Sequence, residues 1–136
     1  MAWMTFHLSK WIAAQLNTLT LNTGLVLKDT TELLNILQSE NMCEKIPKHS
    51  KNIIIVTADI EALYPNIDIN RGIQNIQLDL EEIIWETEAK QTLLLKGLHI
   101  ILTKGFMTFD KTVKGQNNGT AMGSPMAPPY ANIFIT

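Results

Sequence analysis

Few features in this chain could fix it covalently or anchor it in a bilayer. A single cysteine, Cys43, in 136 residues excludes an internal disulfide and fits a reducing intracellular setting. No run is long and apolar enough to span a membrane; the best stretch, residues 92–106, is broken by Lys96, His99 and Lys104. The N-terminus has no basic segment leading into an apolar core, so no signal peptide is read there. Internal repeats and low-complexity tracts are absent. So is an excess of charge of one sign. The net charge of −2 speaks against nucleic-acid binding by bulk electrostatics and leaves only local basic clusters to serve. Several chemistries are missing too. His7, His49 and His99 have no metal-ligand spacing, and Cys43 has neither a nearby histidine nor a Cys-x-x-Cys partner. Residues 115–119 lack the Gly-Lys-Ser/Thr ending of a phosphate-binding loop, and Ser124 lies outside any Gly-x-Ser-x-Gly elbow.

What is present is enough for one ordinary domain with a core: 46% of the residues are apolar. The pattern predicts a helix over residues 9–16 and a weakly defined Thr/Asn-rich stretch over 17–24. Asp29 with Glu32 reads as a capping box, opening a helix whose apolar face is Leu33, Leu34, Ile36 and Leu37. Residues 41–51, with Pro47 and the basic Lys45, Lys48, His49 and Lys51, read as a solvated loop. The β-branched run over residues 53–58 reads as a central strand covered on both faces, with Asp59 at its C-terminal end. Pro65 and Asn66 mark a turn. Asp68 then caps a helix with Ile69, Ile73, Ile76, Leu80 and Ile83 along one face. A second helix over residues 88–104 carries Leu94, Leu98 and Ile101, is apolar nearly all round, and so reads as buried, with His99 as a core histidine and Gly105 as its stop. Phe106, Phe109 and Val113 around Asp110-Lys111 predict a hairpin with a positive side from Lys104, Lys111 and Lys114. The expected class is α+β, helix-rich with a small antiparallel sheet.

Two stretches carry most of the chemical promise. Gly119-Thr120-Ala121-Met122-Gly123-Ser124-Pro125-Met126-Ala127-Pro128 combines glycines with a Ser-Pro pair that reads as an N-cap and first helical residue. Such a turn presents backbone N–H groups to an anion or polymer backbone; the plainer alternative is a loop-to-helix joint. Pro128 and Pro129 lack N–H donors, so the helix is expected to start irregularly at Pro125 or settle near Pro129. Asp59 at the end of a strand suits Mg²⁺, while Tyr64 five residues on either faces a sugar or base or packs in the core. Glu61 reads as a surface charge or accessory group, and Asp68 as a cap rather than a ligand.

Taken together, these stretches resemble a known family. Val56-Thr57-Ala58-Asp59-Ile60-Glu61-Ala62-Leu63-Tyr64-Pro65-Asn66-Ile67 resembles the first palm motif (motif A) of reverse transcriptases, and residues 116–133 resemble their motif B. The pair looks most like Penelope-like retroelements. Leu8-Ser9-Lys10-Trp11 and Lys28-Asp29-Thr30-Thr31-Glu32-Leu33-Leu34 look like the segments that precede motif A there. The resemblance implies a partial reverse transcriptase domain over residues 1–136: fingers-side helices and a basic loop over 1–51, and a partial palm over 52–136. It implies that Asp59 is the catalytic and metal-binding carboxylate, with the Ile60 backbone beside it near the triphosphate. Mg²⁺ is the implied cofactor, with Mn²⁺ as a substitute. Tyr64, Met122 and Gly123 are implied at the nucleotide, with the Tyr64 ring excluding a 2′-hydroxyl by a clash. Met122 falls where many reverse transcriptases have glutamine, a replacement typical of the Penelope-like group. Gln116, Gly119, Ser124 and Pro125 are implied contacts to template and primer, with Lys114 beside them. The implied partners are an RNA or DNA template with primer, deoxynucleotides and the remainder of the polymerase domain.

The Asp-Asp pair of motif C, the Arg- and Lys-bearing fingers motifs, the thumb and an endonuclease are not among these residues, and Thr136 falls inside an apolar run with no cap or breaker. The resulting expectation is an intracellular fragment whose parent activity is template-directed DNA synthesis by two-metal nucleotidyl transfer, and which does not polymerise alone. The alternative expectation is a non-catalytic remnant of a decayed retroelement that binds nucleic acid or a partner.

Overall fold

A computed structural model describes residues 5–39, 54, 56–82 and 87–136, and within these all side chains except those of residues 22, 23, 82 and 107–109. Helices α1 (Phe6–Thr23), α2 (Thr30–Ser39), the single-turn α3 (Leu63–Asn66), α4 (Ile69–Glu82) and α5 (Glu88–Thr103) precede a hairpin of β1 (Phe106–Phe109) and β2 (Thr112–Gly115). Helix α6 (Ala127–Ile135) follows. The class is helix-rich α+β, with one two-stranded antiparallel sheet among the described residues.

The core lies between α1, α4, α5 and α6. Helix α1 buries Ser9, Ile12, Leu16, Leu19 and Thr20, one face at helical spacing. It runs seven residues beyond the expected 9–16 helix, to the left-handed Gly24. Burial of Leu16 and Leu19 outweighs the modest helix propensity of the Thr/Asn stretch. The Thr18 and Thr20 hydroxyls donate back to the Ala14 and Asn17 carbonyls instead of breaking the helix. Helix α4 starts where Asp68 accepts the Arg71 N–H through Oδ1 (2.8 Å), as expected of its cap, and buries Ile76 and Leu80. Ile83 lies outside the described residues. Its Gly72 is a close approach: a Cβ there would enter the ring and hydroxyl of the fully buried Tyr130 on α6.

Helix α5 is buried on one face only. Leu94, Gly97, Leu98 and Leu102 face the core, whereas Leu93, His99 and Ile100 are exposed. The expected all-round burial and the core histidine are therefore corrected; Ile101 packs against the core half-buried, as expected of its face, and Leu102 joins it. A 16-residue helix packed between α1 and α4 has neighbours on only part of its circumference. The hairpin agrees with expectation. Phe106 pairs with Gly115 and Phe109 with Thr112, and Asp110 and Lys111 both have positive φ (46° and 60°), as a two-residue type I′ turn requires.

Two further corrections concern strand and burial. Residues 54 and 56–60 form no strand and are exposed, with Ile54 and Val56 each 82% accessible; residues 53 and 55 lie outside the described set, as do residues 41–51. A strand needs a neighbour for its N–H and C=O groups and a layer on each face, and the described residues provide neither here. Helix α2 forms with the expected capping, since Asp29 Oδ1 accepts the Glu32 N–H (3.0 Å). The Glu32 carboxylate reaches back to Lys28 N–H (2.6 Å) rather than to Asp29. Its apolar face stays open: among the described residues, α2 buries none.

Candidate functional site

The two stretches that carry the resemblance meet through their backbones. The Gly119 N–H donates to the Ile67 carbonyl (3.1 Å), and the Thr120 N–H donates to the Tyr64 carbonyl (2.9 Å). Gly119 has φ +71°, a region where a side chain is strained. A Cβ there would strike the Tyr64 carbonyl oxygen and stand 2.6 Å from Pro65 Cα. Only glycine permits this clasp, which holds residues 64–67 against the loop that leads to α6. The clasped segment is itself strained at Ala62, whose φ of 50° places a non-glycine residue in the left-handed region just before α3.

The loop is tied to α1 as well. The expected Ser124 N-cap is corrected: Met126 is the N-cap, and Ala127, Pro128 and Pro129 form the first turn. Prolines are tolerated there because first-turn N–H groups have no intrahelical acceptor to lose. Ser124 instead accepts through its carbonyl from Ala127 N–H (3.0 Å), and its hydroxyl shares a 2.7 Å hydrogen bond with the buried Ser9 hydroxyl. Ser9 Oγ also accepts the Met126 N–H (3.1 Å), so α1 supplies the cap that the loop's own side chain does not.

A small pocket of about 40 Å³ opens where α1, the end of α5 and this loop converge; Gln116, Gly119, Gly123, Ser124 and Pro125 lie on its wall. Thr120 lines it too, 4% accessible, with an Oγ1 that has no hydrogen-bond partner among the described residues. Gln116 is positioned by the hairpin: its N–H extends the ladder to the Gly105 carbonyl (2.9 Å), and its Nε2 donates to the Asn118 carbonyl (3.0 Å). Gly123 has open space where a Cβ would stand. The sequence-derived candidates therefore divide. Gln116, Gly119, Gly123, Ser124 and Pro125 share the pocket wall, and the half-buried Tyr64 joins them through its backbone. Met122 is 72% accessible and absent from that wall.

Asp59 and Ile60 lie in exposed chain, and Asp59 Oδ1 accepts the Ile60 N–H (2.9 Å). Among the described residues no group of three His, Cys, Asp or Glu side chains converges as a metal site. Asp59 with the Ile60 carbonyl is too small a donor set for the expected two-ion centre, so the residues as arranged do not fit Mg²⁺ or Mn²⁺. Among the described residues, a clear electrostatic perturbation lies on α6. Burial pushes the Tyr130 phenol far above its ordinary range, and the Asp68 carboxylate adds to the shift; its hydroxyl donates to the Ile69 carbonyl (3.4 Å).

Sequence reasoning overlooked Ser9 and Thr120 as parts of the loop's framework. Ser9 was legible in one respect, since it shares a helical face with Ile12, Leu16 and Leu19, and a hydroxyl on such a face needs a partner. Thr120 gives no sequence signal, because nothing local distinguishes a buried threonine from an exposed one. No helix among the described residues is long and apolar enough to cross a membrane. No protein-family model, curated protein or solved structure matches the chain.

Proposed function

We propose that this chain is a section of a reverse transcriptase domain, with residues 1–51 on the fingers side and 52–136 in the palm, carrying part of the nucleotide and template wall. The carrying observation is the clasp: the stretch with Tyr64 and the stretch with Gly119 are distant in sequence and joined by two backbone hydrogen bonds. The parent reaction is template-directed DNA synthesis inside the cell, with primer, template and deoxynucleotides as partners. Gln116, Gly119, Ser124 and Pro125 face template and primer, while Tyr64, Met122 and Gly123 serve the nucleotide. The chain does not run that reaction alone, because its 136 residues contain no Asp-Asp pair and Asp59 has no converging carboxylates among the described residues. Anisotropy with a labelled primer–template at low salt should detect binding that weakens as salt rises. Incubation with deoxynucleotides and Mg²⁺ should extend nothing. Absence of low-salt binding would overturn the assignment; extension abolished by Asp59→Ala would overturn the claim of inactivity.

A second reading, a non-catalytic remnant that binds a partner, is favoured by the exposed Leu33, Leu34, Ile36 and Leu37 of α2. The two readings separate when a palm segment bearing the Asp-Asp pair is fused after Thr136. Asp59-dependent extension supports the first, and inert primer binding supports the second.

A further inference from the structure

Two apolar surfaces of the described fold face solvent and match one another. The first is the face of α2. Leu33, Leu34, Ile36 and Leu37 form one stripe at helical spacing, and none of them belongs to the core cluster or packs against it. Glu32, one turn before Ile36, borders that stripe and is the single charged residue of α2. The second surface is an open groove of about 430 Å³ between α4 and α5. Ile73 and Gln77 form one wall, and Leu95, Lys96, His99 and Ile100 form the other. Both walls are rows spaced four residues apart, the kind of ridge between which a third helix packs. The volume is well above the roughly 150 Å³ that encloses benzene, so the groove takes more than one aliphatic side chain. Its lining carries Lys96 and His99 and no carboxylate, opposite in sign to α2.

We propose that α2 of one copy docks in the α4–α5 groove of a second copy, and that the exchange is reciprocal, closing a two-fold dimer. Leu33 and Leu37, one turn apart, enter the groove, and Glu32 lies toward Lys96. The occupant is a second copy because each chain presents both surfaces open in one and the same conformation, with charges of opposite sign. A reciprocal contact uses each surface once and leaves none over, whereas a one-way contact would build an open chain. The anionic α2 and the carboxylate-free groove also steer the pair into register. Two contacts, each made by a ten-residue helix, make a small interface, so the dimer is weak and α2 stays uncoupled from the bundle in dilute solution. The pairing does not depend on nucleic-acid handling and holds whether or not the chain belongs to a polymerase.

The test is sedimentation equilibrium of the full chain, which should pass from monomer to dimer with a Kd on the order of 100 μM. Leu34→Glu on α2 and Ile100→Glu in the groove should each leave a folded monomer, since these side chains are 51% and 46% accessible. Lys96→Glu, a change at an exposed position, should weaken the dimer about tenfold by placing like charges together. The two monomeric variants then complement each other. Isotope-labelled Leu34→Glu chain, whose groove is intact, is titrated with unlabelled Ile100→Glu chain, whose α2 is intact. Amide shifts should appear within residues 73–77 and 95–100, and labelled Ile100→Glu titrated with itself should show none. A chain that stays monomeric would overturn the proposal, leaving both surfaces to some other protein. An open series of larger oligomers would overturn it too, as would a dimer that survives in folded Leu34→Glu or complementation shifts outside the groove. If either glutamate variant fails to fold, an unchanged Kd in Lys96→Glu overturns the proposal by itself, and the tenfold loss supports it.

Discussion

Helices α2 and α5 carry comparable leucine faces and meet opposite fates. Leu94, Leu98 and Leu102 on α5 are buried, while Leu33 and Leu34 on α2 are 40% and 51% accessible. The difference does not lie in helix formation, because α2 has the better local start, with two capping hydrogen bonds around Asp29 and Glu32. It lies in the counterpart. Gly97 lets α5 approach α1 until a Cβ would stand 3.2 Å from Ile12 Cδ1, and α4 packs against α5 as well. Capping closes a helix locally; burial requires another surface shaped to receive it.

The largest expected effect tests the packed side of the molecule at the glycine clasp. Gly119→Ala should destabilise the chain by about 3 kcal/mol or more, by combining a left-handed φ with a clash against the Tyr64 carbonyl. Urea unfolding reads this directly, and a midpoint close to that of the parent chain would mean that the clasp is looser than described. Next comes the matched pair. Leu98→Ala should lose about 3 kcal/mol, as a core leucine does, whereas Leu34→Ala should lose under about 1 kcal/mol. Equal losses would erase the distinction between the two helices.

A smaller effect is set by pH. Tyr130 in the folded chain holds its proton far above the ordinary tyrosine range, mainly because it is buried. The unfolded chain releases that proton near pH 10, so the unfolded state binds fewer protons above that pH and stability falls as pH rises. The expected slope is about 1.4 kcal/mol per pH unit, and Tyr130→Phe should remove that part of the alkaline loss. An unchanged slope in the variant would assign the loss to other groups.

The smallest effect compares the caps. Asp68→Ala should lower global stability by about 1 kcal/mol, because α4 belongs to the core. Asp29→Ala should leave the unfolding midpoint in place and raise amide exchange only within residues 30–39. A shift of the global midpoint by Asp29→Ala would show that α2 is coupled to the bundle.

Much of the local structure was legible. The Asp68 cap, the Asp29 cap, the hairpin around Asp110-Lys111 and the core spacing of α4 all follow from short-range rules, which the folded chain obeys. The failures share one cause. The apolar run around Ile54 and Val56 reads as a buried strand only if neighbouring strands are assumed, and Ser124 reads as a cap only if no other hydroxyl competes. Ser9 competes, from 115 residues away. Of the candidate site, a glycine-rich loop leading into a helix was anticipated, but its backbone contact with residues 64–67 and the pocket beside Thr120 were not, since each is a property of several elements at once.

The sequence by itself determined where α2, α4 and α5 begin and where the hairpin turns. These depend on backbone dihedrals and on donors a few residues apart. Tertiary structure alone decided which leucines are buried, which serine receives the first N–H of α6, and which hydroxyl is left without a partner among the described residues. Each of those is settled by what a distant segment brings within van der Waals or hydrogen-bond reach, a distance that local sequence does not encode.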